Sequence, residues 1–123
     1  MIGYVTLGTN DLERACAFYD ALLATIGFAR IFDEDGFVGW GTSMEEPALT
    51  ITKPFDGSPA TVGNGVMVAL KMESKAAVDA FHAKAMELGA SDEGAPGPRG
   101  DWFYAGYFRD LDGNKLNAFI MGA

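Results

Sequence analysis

The 123 residues contain few side chains able to do chemistry on their own. The one histidine, His82, follows Phe81 on a helix-like stretch and reads as solvent-facing; an imidazole without placed partners makes no catalytic site. The one cysteine, Cys16, falls on an apolar helical stripe and reads as a small core residue, with Arg14 its only basic neighbour in sequence. Asp110-x-Asp112-Gly113-Asn114 opens like a calcium loop, but an EF-hand needs further ligands ending in a Glu, between two helices, so it reads as a turn. Gly63-x-Gly65 and Gly94-x-x-Gly97 are too sparse for a dinucleotide fingerprint, and no cofactor is expected from them. Trp40 and Trp102 are candidate stacking walls for a planar ligand, and six methionines suit an adaptable apolar pocket.

Composition narrows the function classes. With 49% hydrophobic and 21% charged residues the chain matches a folded domain, and its length is enough to bury roughly two-thirds of the unfolded surface without disulfide or metal staples. Nine Lys+Arg against 17 Asp+Glu leave a net charge of -8. That charge repels phosphate backbones and anionic membranes, which argues against nucleic acid and membrane as partners and favours neutral or cationic guests. No apolar run approaches the ~18 residues of a spanning helix, and the first residues lead into strand-like sequence without a basic and then apolar leader; a cytoplasmic location is expected.

The elements that must position these residues come in two similar runs. Met1 to Gly8 reads as a strand, followed by a helix capped by Asn10 with Glu13 three residues on and stopped by Gly27. Three short strands fit between Phe28 and Lys53, and Lys53 to Gly65 reads as a linker. A strand over Val66 to Met72 and a helix from the Ser74 cap to Gly89 then restart the order. Ala17-Phe18-Tyr19 returns as Ala80-Phe81-His82, and Gly27 as Gly89, so the period is roughly 62 residues. The expected organisation is one domain over 1–123, with modules of about 1–60 and about 64–123. Gly94 to Gly100 reads as a loop, and Asp110 to Asn114 as the turn of a closing hairpin.

Strand alternation sorts the residues by face. Val5, Leu7, Leu49, Ile51, Val66, Val68, Leu70, Leu116, Ala118 and Ile120 form an aliphatic set that should pack the helices. Tyr4, Thr6, Thr50, Thr52, Met67, Ala69, Lys115, Asn117 and Phe119 form the opposite, mixed set, as on the open concave side of a curved sheet. If Asp110 pairs with Asn114, Tyr107 lies opposite Asn117 and Ala105 opposite Phe119; a slip of one residue would bring Trp102, Tyr104 and Phe108 to that face instead. A ligand would lie on this mixed face, which Tyr107 joins beside Asn117.

Several of these features together resemble the vicinal oxygen chelate superfamily, which includes glyoxalase I, bleomycin-resistance proteins, fosfomycin-resistance enzymes and extradiol dioxygenases. They are Thr9-Asn-Asp-Leu-Glu-Arg-Ala15, Phe18-Tyr19, Gly27-Phe28 and Tyr107-Phe-Arg-Asp-Leu-Asp-Gly-Asn-Lys-Leu116. Gly63-Asn-Gly65 and Pro96-Gly-Pro-Arg99 look like a glyoxalase-related branch. The resemblance implies an α+β fold of two βαβββ modules forming a cupped mixed sheet with helices on the convex face, in a homodimer. Carried over, the family's metal-ligand places fall on Tyr4, Thr50, Met67 and Asn117, none of them a good divalent-metal ligand; this quartet with Tyr107, and with Trp40 and Trp102 as walls, is the candidate ligand-binding set the resemblance implies. The implied function is a metal-independent protein binding a small neutral, cationic or aromatic ligand in the cup. The alternatives are a glyoxalase-type lyase or isomerase using unconventional metal ligands, and a non-catalytic dimeric structural or regulatory protein.

Overall fold

The computed structural model describes residues 1–122. Its first run of elements is β1 (Tyr4–Gly8), α1 (Leu12–Ala24), β2 (Ala29–Glu34), β3 (Phe37–Gly41) and β4 (Ala48–Thr52). The second is β5 (Val68–Lys71), α2 (Lys75–Glu87), β6 (Ser91–Pro98), β7 (Phe103–Arg109) and β8 (Lys115–Met121). Each run builds its own four-stranded mixed sheet, ordered β1-β4-β3-β2 and β5-β8-β7-β6, and the chain divides into compact units, Met1–Val62 and a second beginning at Gly63. Neither helix is long and apolar enough to cross a membrane.

In the first unit β4 runs parallel to β1 and antiparallel to β3, so Val5, Leu49 and Trp40 stand in one row and Leu7, Ile51 and Val38 in the next. All but Val5 are buried, opposite the α1 stripe of Ala15, Cys16, Tyr19, Leu22 and Leu23. Trp40 is thus a core residue beneath the helix, fully buried and 5.8 Å from the Tyr19 ring, and not a ligand wall. Its indole N–H donates to Asp20 Oδ1 at 2.9 Å, and Arg30 grips the same carboxylate through Nε and Nη2 at 2.9 and 2.8 Å. Burial pushes the Cys16 thiol above its ordinary value, as expected of a core cysteine.

Four local expectations change. Asp11, not Asn10, caps α1 by accepting from the Arg14 amide at 3.1 Å. Asn10 instead uses both ends of its amide on Ala60, donating to the carbonyl at 3.1 Å and accepting from the N–H at 2.7 Å; a carboxylate has no donor and cannot make this double tether. β5 begins only at Val68, where its parallel ladder to β8 starts at Leu116, and Val66 and Met67 lie before it, exposed, after the turn at Asn64 and Gly65. The stretch read as a loop after Gly94 belongs to β6, whose two register shifts against β7 hide the strand signal among Gly and Pro.

His82 is also buried, on the flank of the α2 stripe of Val78, Phe81 and Ala85. Its Nε2 lies 3.1 Å from the Tyr107 carbonyl and 3.2 Å from Asp92 Oδ1, so it ties the helix to β6 and β7. The hairpin turn forms as read: Asp110 Oδ1 accepts from the Asp112 and Asn114 amides, both at 2.9 Å, and Asp110 Oδ2 accepts from Asn114 Nδ2 at 3.0 Å. This knot sets the β7–β8 register that places Tyr107 opposite Asn117 and Ala105 opposite Phe119.

Two predictions follow from these contacts. Asp20→Ala should cost about 1–3 kcal/mol in urea unfolding, chiefly by leaving the buried Trp40 donor unpaired, since the half-exposed pair with Arg30 contributes little. The same change in a Trp40→Phe background should cost clearly less. The hydrogen bond from Arg30, followed by that from Trp40, holds the Asp20 carboxyl below its usual range against the opposing effect of burial. Its stabilisation is therefore complete above the unfolded value of about 3.9 and fades as pH falls through the lower folded value, so wild type should lose stability in that window more steeply than Asp20→Ala. Asp110→Ala removes an acceptor of three hydrogen bonds and should lower stability by about 1–3 kcal/mol, with faster amide exchange along β8.

Candidate functional site

The faces away from the helices are built alike in the two sheets but finished differently. In the first sheet the central position is Thr50, flanked by Thr6 and Gly39. The Thr50 hydroxyl donates to the Val5 carbonyl at 3.0 Å and meets the Thr6 hydroxyl at 2.8 Å. Phe32 lies against Gly39 so closely that a Cβ there would come within 2.5 Å of its ring. Phe32 stacks on Phe37 at 5.3 Å, and Phe37 meets the edge of Tyr4 at 6.1 Å. The polar centre is thus satisfied internally and this face is furnished with rings. Thr50 is fully buried and Tyr4 is a half-open rim residue.

In the second sheet the matching central position is Asn117, flanked by Ala69 on β5 and Tyr107 on β7. Asn117 is 1% exposed, and its Oδ1 is buried without a hydrogen-bond partner. An orphaned buried carbonyl is uncommon and carries a desolvation cost of about 1–3 kcal/mol, which makes it a marker for a missing partner. Around it the residues facing the same way are Tyr107, Ala105, Phe119, Phe103 and Lys115. Phe103 and Phe119 stack at 5.5 Å. The Arg99 guanidinium lies 5.4 Å and the Lys115 ammonium 5.7 Å from the Tyr107 ring centre. Gly94, at φ +152°, admits both neighbours: a Cβ there would meet Arg99 at 3.2 Å and Tyr107 at 3.3 Å.

A groove of about 280 Å³ adjoins Arg99, lined also by Gly100, Asp101, Trp102, Phe103 and Met121. Trp102, 67% exposed, stands in it. Of the sequence candidates, then, Tyr107 and Asn117 meet directly, Trp102 lies in the groove of the same unit, Met67 sits outside its strand, and Tyr4 and Thr50 belong to the other sheet. Arg99 and Lys115, not among those candidates, both lie near the Tyr107 ring. Lys115 shares the Asn117 face by spacing alone, whereas Arg99 was hidden in the segment taken for a loop.

The description of the family that matches residues 1–118 is Glyoxalase/Bleomycin resistance protein/Dioxygenase superfamily. The chain belongs to this superfamily. It is similar to a glyoxalase/bleomycin resistance protein from Albidiferax ferrireducens T118, with 36% identity, 99% of each chain covered and a TM-score of 0.91. More distant structures share the fold. A lactoylglutathione lyase from Agrobacterium tumefaciens has 22% identity, a TM-score of 0.72 and coverage of 98% of this chain and 92% of that one. TnmS3, an antibiotic binding protein from Streptomyces sp. CB03234, has 22% identity, a TM-score of 0.71 and coverage of 99% and 96%. None of the curated proteins matches the chain in sequence.

Many superfamily members carry a divalent metal, and the residues at the corresponding places here do not fit one. They offer a phenol, a hydroxyl already committed to Val5 and Thr6, a thioether outside its strand and one carboxamide, with no ionised ligand among them. Among the described residues no three His, Cys, Asp or Glu side chains gather as metal ligands.

The orphaned amide yields a stability prediction. Asn117→Leu keeps the branched shape with some added bulk and removes the unpaired acceptor, so it should change stability by no more than about 1 kcal/mol in denaturant unfolding. A loss above that size would show that the amide is satisfied in the assembled protein.

Proposed function

We propose that the chain is a small-molecule-binding protein of this superfamily that takes a planar, aromatic ligand on the open face of the second sheet without using a metal. The observation that carries this reading is the buried Asn117 carbonyl left unpaired opposite Tyr107, on a face where the first sheet has closed the same position with hydroxyls and rings. A ligand hydroxyl or N–H would satisfy Oδ1, the Tyr107 phenol would add a second hydrogen bond, and Phe103, Phe119 and Trp102 supply apolar area. The fold alone does not choose between binding and catalysis, since one relative is described as a lyase and another as an antibiotic-binding protein. The donor set favours binding: Tyr4, Thr50, Met67 and Asn117, at the four family places, offer no charged ligand. The protein is read as a cytoplasmic homodimer.

Elemental analysis of protein purified without chelator, joined to melting curves with and without EDTA, tests the metal-free reading. The expected result is substoichiometric metal and an unchanged melt. Stoichiometric metal whose removal lowers the melting temperature would overturn it in favour of the lyase. Aromatic ligands should raise the melting temperature independently of EDTA, by an amount equivalent to about 2.7 kcal/mol at a hundred times Kd. Tyr107→Phe and Asn117→Ala should each weaken that binding by about 1–3 kcal/mol.

A further inference from the structure

We propose that Asn64 is a site of spontaneous covalent modification: its side-chain amide is lost as ammonia, leaving aspartate and isoaspartate in the turn that leads into β5. The reaction needs the main-chain nitrogen of the next residue to attack the side-chain carbonyl carbon, so that nitrogen must be unbonded, uncrowded and open to water. Asn64-Gly65 meets each condition. Both residues are exposed, in a turn closed by the Val66 amide donating to the Gly63 carbonyl at 3.2 Å. Gly65, at φ +99°, has nothing within 4 Å of the place a Cβ would take, so neither a side chain of its own nor a neighbour crowds it. Among the described residues, the Gly65 N–H and the Asn64 carboxamide make no hydrogen bond within the chain.

The other three asparagines are each denied these conditions. The Asn10 amide is held at both ends by Ala60, and the nitrogen after it, that of Asp11, donates to Thr9 Oγ1 at 3.0 Å. Asn114 is buried and donates to Asp110, while Asn117 and its successor Ala118 are both buried in β8.

At Asn64 the Gly65 nitrogen bonds to Cγ as the Cγ–Nδ2 bond breaks, and the amide departs as ammonia, taking up the proton that Gly65 loses. Water then opens the cyclic imide. Opening at Cγ gives aspartate on the original main chain. Opening at the main-chain carbonyl gives isoaspartate, whose chain runs through Cγ and is one carbon longer. Either product deepens the net charge of -8 by one. The second unit begins at Gly63 and β5 at Val68, so the new charge and the extra carbon enter the connecting segment and leave both sheets intact.

The test is prolonged incubation of the intact protein at physiological temperature and mildly alkaline pH, followed by separation and weighing of its proteolytic peptides. Asn64→Gln and a synthetic peptide of residues 58–70 are carried alongside. Two new forms of the Asn64 peptide are expected, each about 1 Da heavier, of which an aspartate-specific endoproteinase cuts only the aspartyl one. Their rate of appearance should lie within about tenfold of that in the synthetic peptide, since the folded turn adds little to the barrier. It should rise with pH, because the attacking nitrogen must shed its proton. The peptides holding Asn10, Asn114 and Asn117 should stay unchanged, and Asn64→Gln, which would have to close a larger ring, should give neither form. An Asn64 peptide that stays intact while the synthetic peptide converts would overturn the proposal. So would conversion of the three other asparagines at a comparable rate, since the selectivity would then owe nothing to the fold.

Discussion

Each module depends on its last strand being held from both sides. β4 and β8 each run parallel to the first strand of their module and antiparallel to the third, so one register decides which residues go under the helix and which face away. A shift of one residue would send Leu116 and Ala118 outward and Asn117 into the helix packing. The two modules secure this register by different means. The second has the Asp110–Asn114 knot at the mouth of its hairpin, and the first joins Arg30, on β2, and Trp40, on β3, to the Asp20 carboxylate on α1. In both, a carboxylate satisfying several donors converts a local turn or contact into long-range order.

The same register explains why matching positions in the two sheets have unlike chemistry. Thr50 and Asn117 are both central, inaccessible and polar, facing away from the helix. A β-branched hydroxyl beside another hydroxyl can complete its hydrogen bonds within the sheet, and the Phe32 ring can close over Gly39 because that residue has no side chain. Asn117 has Ala69 on one side and Tyr107 on the other, and neither gives its Oδ1 a donor. Duplication supplies the frame twice, and the neighbours of the central residue determine whether its polar group is paired within the sheet or left unpaired.

Much of the fold was legible because it rests on short-range patterns. Period-two alternation in β1, β4 and β8, the stop glycines 27 and 89, and the Asp110–Asn114 turn all act locally, and the repeat of about 62 residues shows the two-module plan. The errors fall where local patterns conflict with tertiary context. Asn10 and Asp11 are both good caps, and only the distant Ala60 decides between them. Trp40 alternates as any strand residue does, and its face became clear only from pairing with Leu49. His82 has a polar side chain on the flank of its helix, yet β6 covers that flank; the Gly and Pro content that disguised β6 concealed Arg99 as well.

Net charge describes the whole chain and not any one face of it, for a physical reason. Electrostatic interaction in water is screened within about 8–10 Å, so a ligand on one sheet face senses the few charges around it far more than the sum over the chain. Most of the acidic excess lies elsewhere, while Arg99 and Lys115 share the Tyr107 ring. A protein with this distribution can remain strongly acidic, which discourages association with nucleic acid, and still present a positive local field to a small molecule. Exposed cations keep their hydration and lose little by standing unpaired, whereas the buried Asn117 acceptor carries the desolvation cost of a missing partner.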